Sequence, residues 1–137
     1  MNVLALDFGL KRIGTAVGST ESGIAFARAV LKNTDFLYED VGKIILHDQI
    51  EQILLGMPYR QRGEVGTIHD ELMDFYDELM DRFDLPIEMI DERYTSKMAI
   101  QKLHDMGMKA REQRGHVDSL AAQHFLQEWL DEQDGGQ

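Results

Sequence analysis

Short apolar stretches, several of them alternating with polar residues, recur along the chain and predict β-strands. The first two stretches flank a glycine-containing turn at residues 9–11, which predicts a tight antiparallel pair. The two later stretches, QILLGMP and LPIEMID, are almost continuously apolar and predict strands buried in the core. The five predicted strands are Asn2–Phe8, Ile13–Val17, Ile24–Leu31, 52–58 and 85–91.

Apolar residues spaced three or four positions apart predict four helices. Asn33 and Thr34 are candidate caps for the first of them. A basic loop, Gly107–Gly115, is predicted between the last two helices, because glycines bracket it. The four predicted helices are Asp35–Ile50, Val65–Asp84, Ser96–Met106 and Val117–Glu132.

The resulting order of elements is β-β-β-α-β-α-β-α-α. The first three strands are joined by short links, so they should be antiparallel to one another. Each later strand follows a helix and should lie parallel to the first strand through a right-handed crossover. The pattern therefore predicts a single α/β domain with a mixed five-stranded sheet flanked by helices.

Composition narrows the class of protein. The chain has 137 residues, 43% of them apolar, which suits one globular domain. It contains no cysteine, which excludes disulfides and thiolate metal sites. No apolar run is long enough to span a membrane, and no signal peptide is evident. We expect a cytoplasmic protein with no membrane partner.

The net charge of −11 argues against non-specific nucleic-acid binding, but the charge is unevenly distributed. Residues 64–92 hold eleven acids and one base, whereas residues 93–116 hold six bases and two acids. An acidic average can therefore conceal a local basic surface. Solvated helix faces would explain the same pattern.

Three acids are expected at one edge of the predicted sheet. Asp7 ends the first strand, Glu92 follows the last strand, and Asp118 lies in the first turn of the predicted final helix. In open α/β sheets, binding and catalytic residues lie at the carboxyl ends of the parallel strands. Clustered carboxylates favour Mg²⁺ or Mn²⁺, and two such ions can clamp a phosphodiester. Taken singly, Asp7 also suits a turn, and Asp118 suits a helix cap.

Four motifs, in matching order along nearly the whole chain, resemble those of the YqgF/RuvX family. They are LALDFGLKRIGTAVG, LLGMP, DERYTSKMA and HVDSLAAQHFLQEWL. The family comprises RNase H-like proteins named both as Holliday junction resolvases and as pre-16S rRNA nucleases. The resemblance implies an RNase H-like domain over residues 1–133, with 134–137 as a flexible tail.

The resemblance also implies roles for individual residues. Asp7, Glu92 and Asp118 would be the catalytic carboxylates and the ligands of Mg²⁺ or Mn²⁺. Lys11, Arg93 and Thr95 would support them near the phosphates.

One loop departs from the family pattern. The family commonly has an Asn-x-Asp-Gly-Ser/Thr loop after Gly-x-Pro, whereas this chain has YRQRGEVGT at 59–67. Arg60 and Arg62 stand there instead. Together with Lys109 and Arg111 of the basic loop Gly107–Gly115, they are further candidates for substrate binding.

The resulting hypothesis is a metal-dependent nuclease that processes the 5′ end of pre-16S rRNA, as a monomer or weak homodimer that can contact ribosomal particles. Two alternatives stay open within the same fold: a resolvase of branched DNA, and a non-catalytic factor that binds nucleic acid or ribosomes. The Asp-x-Gly hairpin also resembles that of sugar kinases and actin-like ATPases. Those proteins enclose ATP between two such domains, whereas 137 residues supply one.

Overall fold

The computed structural model describes residues 1–57, 67–91 and 110–135. They form a mixed β-sheet with helices packed on both of its faces. The strands are β1 (Asn2–Asp7), β2 (Arg12–Ser19), β3 (Ala25–Ala27), β4 (Leu31–Lys32), β5 (Gln52–Met57) and β6 (Ile87–Asp91). The helices of the described segments are α1 (Leu37–His47), α2 (Thr67–Arg82) and α3 (Ala110–Gly135).

The strand order is β3-β2-β1-β5-β6, and β4 also pairs with β2. β1 and β2 are antiparallel, as are β2 and β3, whereas β5 and β6 run parallel to β1. The predicted topology is thereby confirmed. The links between the first strands are short, so these strands can pair only in the antiparallel direction. The helices α1 and α2 form the crossover connections that allow β5 and β6 to run parallel to β1.

The third predicted strand is corrected by the structure. Instead of one strand over Ile24–Leu31 there are two short ones, β3 and β4, so the sheet has six strands rather than five. Between them the Thr15 hydroxyl donates a 2.6 Å hydrogen bond to the Ala29 carbonyl. A side chain of β2 thus takes the place of a backbone donor there, and the ladder is interrupted.

Side chains alternate between the two faces of the sheet, as the pleat requires. Along β1, Leu4 and Leu6 point toward α1 and α2, while Val3 and Ala5 point toward α3. The first face also buries Ile13, Leu37, Val41, Ile53, Leu55, Leu72, Phe75 and Leu79. The second buries Ala16, Ala25, Leu54, Ala122, Phe125, Leu126, Trp129 and Leu130, and we call it the α3 face.

The final helix begins earlier than the sequence predicts. α3 starts at Ala110, so residues 110–115 of the predicted basic loop Gly107–Gly115 are helical. Residues 110–114, AREQR, are strong helix formers, and one interior glycine costs only about 1 kcal/mol relative to alanine. The helix therefore continues through Gly115.

Two glutamines of α3 bind the outer edge of β3. The Ala25 N–H donates to Gln127 Oε1 at 3.0 Å, and Gln127 Nε2 donates to the Gly23 carbonyl at 2.8 Å. Gln123 Nε2 donates to the Ala25 carbonyl at 3.0 Å. The helix side chains thus satisfy backbone groups that an edge strand would otherwise expose.

Of the remaining predicted elements, some match the observed elements closely and one lies outside the described residues. α1 and α2 fall inside the helices predicted over Asp35–Ile50 and Val65–Asp84. The helix predicted over Ser96–Met106 lies outside the described residues. The predicted tail overlaps the last turn of α3, which runs to Gly135. None of the helices in the described segments is both long and apolar enough to span a bilayer.

Candidate active site at the carboxyl ends of the parallel strands

Asp7 is the last residue of β1 and lies in the middle of the sheet, between β2 and β5. Its register partners are Gly14 on β2 and Gly56 on β5. By the alternation that places Val3 and Ala5 on the α3 face, the half-buried Asp7 belongs to the same face. Because glycine has no Cβ, neither register partner places a side chain beside the carboxylate.

The turn that follows Asp7 is held in a defined shape. A Cβ on Gly9 would lie 2.5 Å from the Arg12 carbonyl oxygen, so only glycine fits there. Asn33 Nδ2 donates to the Gly9 carbonyl at 3.0 Å, and the Asn33 N–H donates to the Lys11 carbonyl at 2.9 Å. The exposed side chain of Lys11 therefore extends from a braced turn next to Asp7.

This contribution of Asn33 is not evident from the sequence, where it was a candidate helix cap. The capping prediction is wrong, because the N-cap of α1 is Phe36 and has no side-chain cap. Thr34 Oγ1 accepts the Phe36 N–H at 3.2 Å, just before the helix. The side chain of Asn33 instead binds the adjacent β1–β2 turn, where its partner Gly9 is twenty-four residues away in sequence.

The carboxyl-terminal half of α3 lies over the beginning of β1. A Cβ on Gly18 would lie 2.9 Å from Leu130 Cδ1, so the helix approaches β2 very closely at this point. Gly18 is the register partner of Val3. Glycine at this position is what allows the helix to pack so near the sheet.

The part of α3 around Ser119 lies near the carboxyl end of β1. The buried Ser119 hydroxyl donates to the Arg28 carbonyl at 2.8 Å, and the Arg28 N–H donates to the Thr15 carbonyl. Thr15 is the register partner of Leu6, one residue from the end of β1. α3 is therefore antiparallel to β1, and position 118, next to Ser119, lies at the Asp7 end of the sheet.

One detail of the prediction for Asp118 is wrong. α3 begins at Ala110, so Asp118 is well inside the helix rather than in its first turn. The capping role therefore does not apply to Asp118. In sequence, position 118 precedes Ala121, Ala122 and Phe125 by three, four and seven residues, and these three pack on the α3 face or are buried beside it.

The third predicted carboxylate, Glu92, lies outside the described residues. It directly follows Asp91, the last residue of β6. Ile90 is in register with Gly56, and Glu88 accepts a 3.0 Å hydrogen bond from Trp129 Nε1 of α3.

Most other predicted substrate contacts cannot be placed within this geometry. Lys11 is described, while Arg111 belongs to a part of α3 whose side chains are not described. Among the side chains that are described, no three carboxylates or histidines gather into a metal-binding group. The other predicted substrate contacts lie outside the described segments: Arg60, Arg62, Arg93, Thr95 and Lys109.

The chain is similar to proteins of one family throughout its length. The model of the family described as "RuvX: Holliday junction resolvase" matches residues 1–132. A protein of Coxiella burnetii named "Putative pre-16S rRNA nuclease" is 38% identical over 136 residues, covering 96% of this chain and 95% of its own. One of the same name from Natranaerobius thermophilus is 34% identical over 135 residues, covering 97% and 96%.

Solved structures show the same fold at much lower identity. Thermus thermophilus RuvC in complex with a Holliday junction substrate matches with a TM-score of 0.54 and 20% identity, covering 98% of this chain and 97% of that one. The Fowlpox virus resolvase in complex with Holliday junction DNA also has a TM-score of 0.54, with 14% identity and coverage of 95% and 99%. The fold is thus RNase H-like, as predicted. From the family match and the curated relatives, the chain belongs to the RuvX family.

Proposed function

We propose that this protein is a metal-dependent nuclease that hydrolyses phosphodiester bonds in precursor 16S rRNA. Its family is one of nucleases and resolvases, which supports phosphodiester hydrolysis as the reaction class. The observation that carries the proposal is the position of Asp7. Its half-buried carboxylate lies at the carboxyl end of the central strand, on the face covered by α3, between two glycines.

Asp7, Glu92 and Asp118 would hold Mg²⁺ or Mn²⁺, with two ions as the proposed arrangement. Asp7 fits this role, since carboxylate oxygens are the ligands such ions prefer, and its register partners Gly14 and Gly56 carry no side chain. When bound, the metal would activate water and offset the charge that develops on the phosphodiester.

The protein itself would align the substrate and the acids. The parallel strands β1, β5 and β6 lie side by side and end at Asp7, Met57 and Asp91, which supports the proposal that Asp7 and Glu92 act together. The hydrogen bond from Ser119 to Arg28, the residue after β3, would help to fix the position of α3 and thus of residue 118. Lys11 would contact a phosphate from the braced turn, and the basic residues of 93–114, with Arg60 and Arg62, would extend the contact along the strand.

The test compares Asp7→Asn with Asp35→Asn, an identical change at an exposed acid near the start of α1. Purified protein is incubated with a pre-16S rRNA fragment carrying an extended 5′ end, with Mg²⁺, with Mn²⁺ or with EDTA. We expect wild type and Asp35→Asn to shorten the RNA only with metal, and Asp7→Asn to lose activity by at least a hundredfold.

Thermal melts supply a second measurement on the same three proteins. A metal that binds the native state raises the Tm, so millimolar Mn²⁺ should stabilise wild type and Asp35→Asn more than Asp7→Asn. Equal cleavage by Asp7→Asn and wild type would contradict the proposal. Metal-independent RNA binding without cleavage by wild type would support the alternative of a non-catalytic factor.

A second candidate substrate is branched DNA, because the matching family model is described as a Holliday junction resolvase. A resolvase must place two active sites on one junction, whereas trimming an RNA end needs one site. We propose a monomer or weak homodimer acting on RNA. Symmetric paired nicks in a synthetic four-way junction, with intact precursor RNA, would establish the resolvase instead.

A further inference from the structure

Phe36 is the most exposed of the six phenylalanines, with 64% of its surface open to solvent. It belongs to neither apolar cluster of the core. It is the N-cap of α1, but its side chain makes no capping hydrogen bond. Because single exposed apolar residues are common on protein surfaces, the location of this ring decides what it can contribute.

Phe36 lies at the same end of the sheet as Asp7. Asn33, three residues before Phe36, is hydrogen-bonded to both ends of the β1–β2 turn that follows Asp7. Beyond the other end of α1, the Asp48 carbonyl accepts a 3.1 Å hydrogen bond from Asn2 Nδ2 at the start of β1. The helix therefore runs from the Asp7 end of the sheet to the opposite end, and Phe36 begins it beside the turn.

An aromatic cluster connects the first turn of α1 to the strand that carries Asp7. Phe8 directly follows Asp7, and its ring centroid lies 4.9 Å from that of Phe75 on α2. The ring of Tyr38, two residues after Phe36, lies 5.9 Å from the same Phe75 ring. Aromatic contacts of this kind add to the stabilisation that burial provides. Packing thus fixes the position of Phe36 relative to the end of β1.

The backbone around Phe36 is also held in one shape. Thr34 Oγ1 accepts the Phe36 N–H at 3.2 Å, and the Thr34 carbonyl accepts the Leu37 N–H at 3.0 Å. The Phe36 carbonyl accepts the Asp40 N–H at 3.0 Å. A ligand that contacts the ring would therefore immobilise little additional backbone, which lowers the entropic cost of binding.

The surroundings of Phe36 favour a flat, uncharged ligand group. Leu10, in the β1–β2 turn, is also apolar and 51% exposed. Asp35 directly precedes Phe36 and Glu39 follows it by three residues, and both acids are exposed. Their charges would repel a phosphate. A nucleic-acid base, by contrast, has an uncharged π-face that can stack on an aromatic ring.

We propose that Phe36 stacks on one unpaired base of the RNA strand that is cleaved at Asp7. This deepens the proposed function and rests on it for the nature of the ligand. Bases in a duplex are already stacked on their neighbours, so the contact selects single-stranded RNA. It tolerates any base, because every base has a π-face. The strand accordingly crosses the end of the sheet from Asp7, over the β1–β2 turn, to the start of α1.

The test combines changes in the protein with changes in the RNA. Binding of short fluorescein-labelled single-stranded RNAs is measured by anisotropy in EDTA, so that cleavage does not interfere. One set of RNAs carries a single abasic nucleotide at each position in turn. The variants are Phe36→Ala, Phe36→Leu and Phe36→Trp. The matched control is Phe26→Ala, which removes a 57% exposed phenylalanine level with Leu4, away from the end of β1.

Phe36→Ala should raise the Kd for intact single-stranded RNA about tenfold, as expected for the loss of one base stack. Removing the base at one position of the RNA should weaken binding by wild type to a similar extent. At that position Phe36→Ala should show no further loss, because the ring and the base contact each other. Phe36→Leu should lose most of the same affinity, while Phe36→Trp and Phe26→Ala should bind like wild type. A blunt RNA duplex should bind Phe36→Ala and wild type equally.

Equal affinities of Phe36→Ala and Phe26→Ala for single-stranded RNA would overturn the proposal, even if wild type cleaves RNA and the nuclease assignment stands. It would also be overturned if the protein and RNA changes multiplied at every position, or if wild type bound no single-stranded RNA. Coupling between ring and base in a protein that does not cleave RNA would support the stack and refute the nuclease. Phe36→Leu decides the matter if Phe36→Ala fails to fold, since leucine keeps an apolar side chain without the aromatic face.

Discussion

Replacing Ser119 by alanine should destabilise the protein by about 1 kcal/mol. Ser119 is 4% exposed, and its hydroxyl donates a 2.8 Å hydrogen bond to the Arg28 carbonyl. A neutral hydrogen bond contributes about 0.5–1.5 kcal/mol net, and a buried acceptor left unpaired costs up to about 3 kcal/mol. Arg28 is an exposed residue, so water can replace the hydroxyl and the lower figure applies.

The measurement is urea unfolding followed by the fluorescence of Trp129, the single tryptophan, which is buried on the α3 face. The midpoint should fall without a change in the m-value, and the Tm should fall by about 4 °C. Ser22→Ala is the matched control, because Ser22 is exposed and its hydrogen bonds are longer. The Ser22 hydroxyl donates to the Ser19 carbonyl at 3.4 Å and accepts the Ile24 N–H at 3.3 Å. Its midpoint should stay within about 0.5 kcal/mol of wild type.

The same hydrogen bond sets the position of residue 118, so it has a second consequence under the proposed function. Ser119→Ala should need more Mg²⁺ for half-maximal activity than wild type, at a temperature where both are folded. An unchanged midpoint for Ser119→Ala, or a loss equal to that of Ser22→Ala, would refute the contribution of this contact.

Three further changes test other parts of the fold. Gly9→Ala should destabilise by about 1–3 kcal/mol, since its Cβ would lie 2.5 Å from the Arg12 carbonyl; unfolding at the wild-type midpoint would contradict this. Glu88→Gln should cost about 1 kcal/mol and change the emission of Trp129, whose Nε1 donates to that carboxylate at 3.0 Å. Burial, with smaller effects of nearby acids, raises the pKa of Tyr38 above its usual 10. As pH rises, the Tyr38 hydroxyl therefore loses its proton in the unfolded chain before it does so in the folded protein. Stability of wild type should therefore fall more steeply above about pH 10 than that of Tyr38→Phe, and parallel melting curves would refute this.

The architecture was accessible from the sequence because its strongest signals are local. The β1–β2 hairpin has an apolar strand on each side of a turn, and only glycine fits at position 9 of that turn. The apolar runs that became β5 and β6 each follow a helix, which left parallel pairing as the natural solution. The position of Asp7 at the carboxyl end of the central strand follows directly from that topology.

Other features depend on contacts between distant residues. The division of the third strand depends on a hydrogen bond from Thr15 to Ala29 that no local pattern encodes. The start of α3 was misplaced since Gly115 resembled the end of a loop, whereas the residues before it favour helix. The pairing of Arg12 with Lys32 follows from the register of β4, a strand of two residues that is too short for periodicity to reveal.

The way α3 covers the sheet bears on the order in which the chain can mature during translation. The ribosome makes all six strands of the described segments before it makes this helix. Until the helix emerges, the apolar α3 face and the outer edge of β3, later covered by Gln123 and Gln127, are open to other chains. Nascent chains therefore become protected from aggregation only after this helix has been made. Loss of α3 through a premature stop codon should accordingly yield a product that chaperones retain or proteases remove.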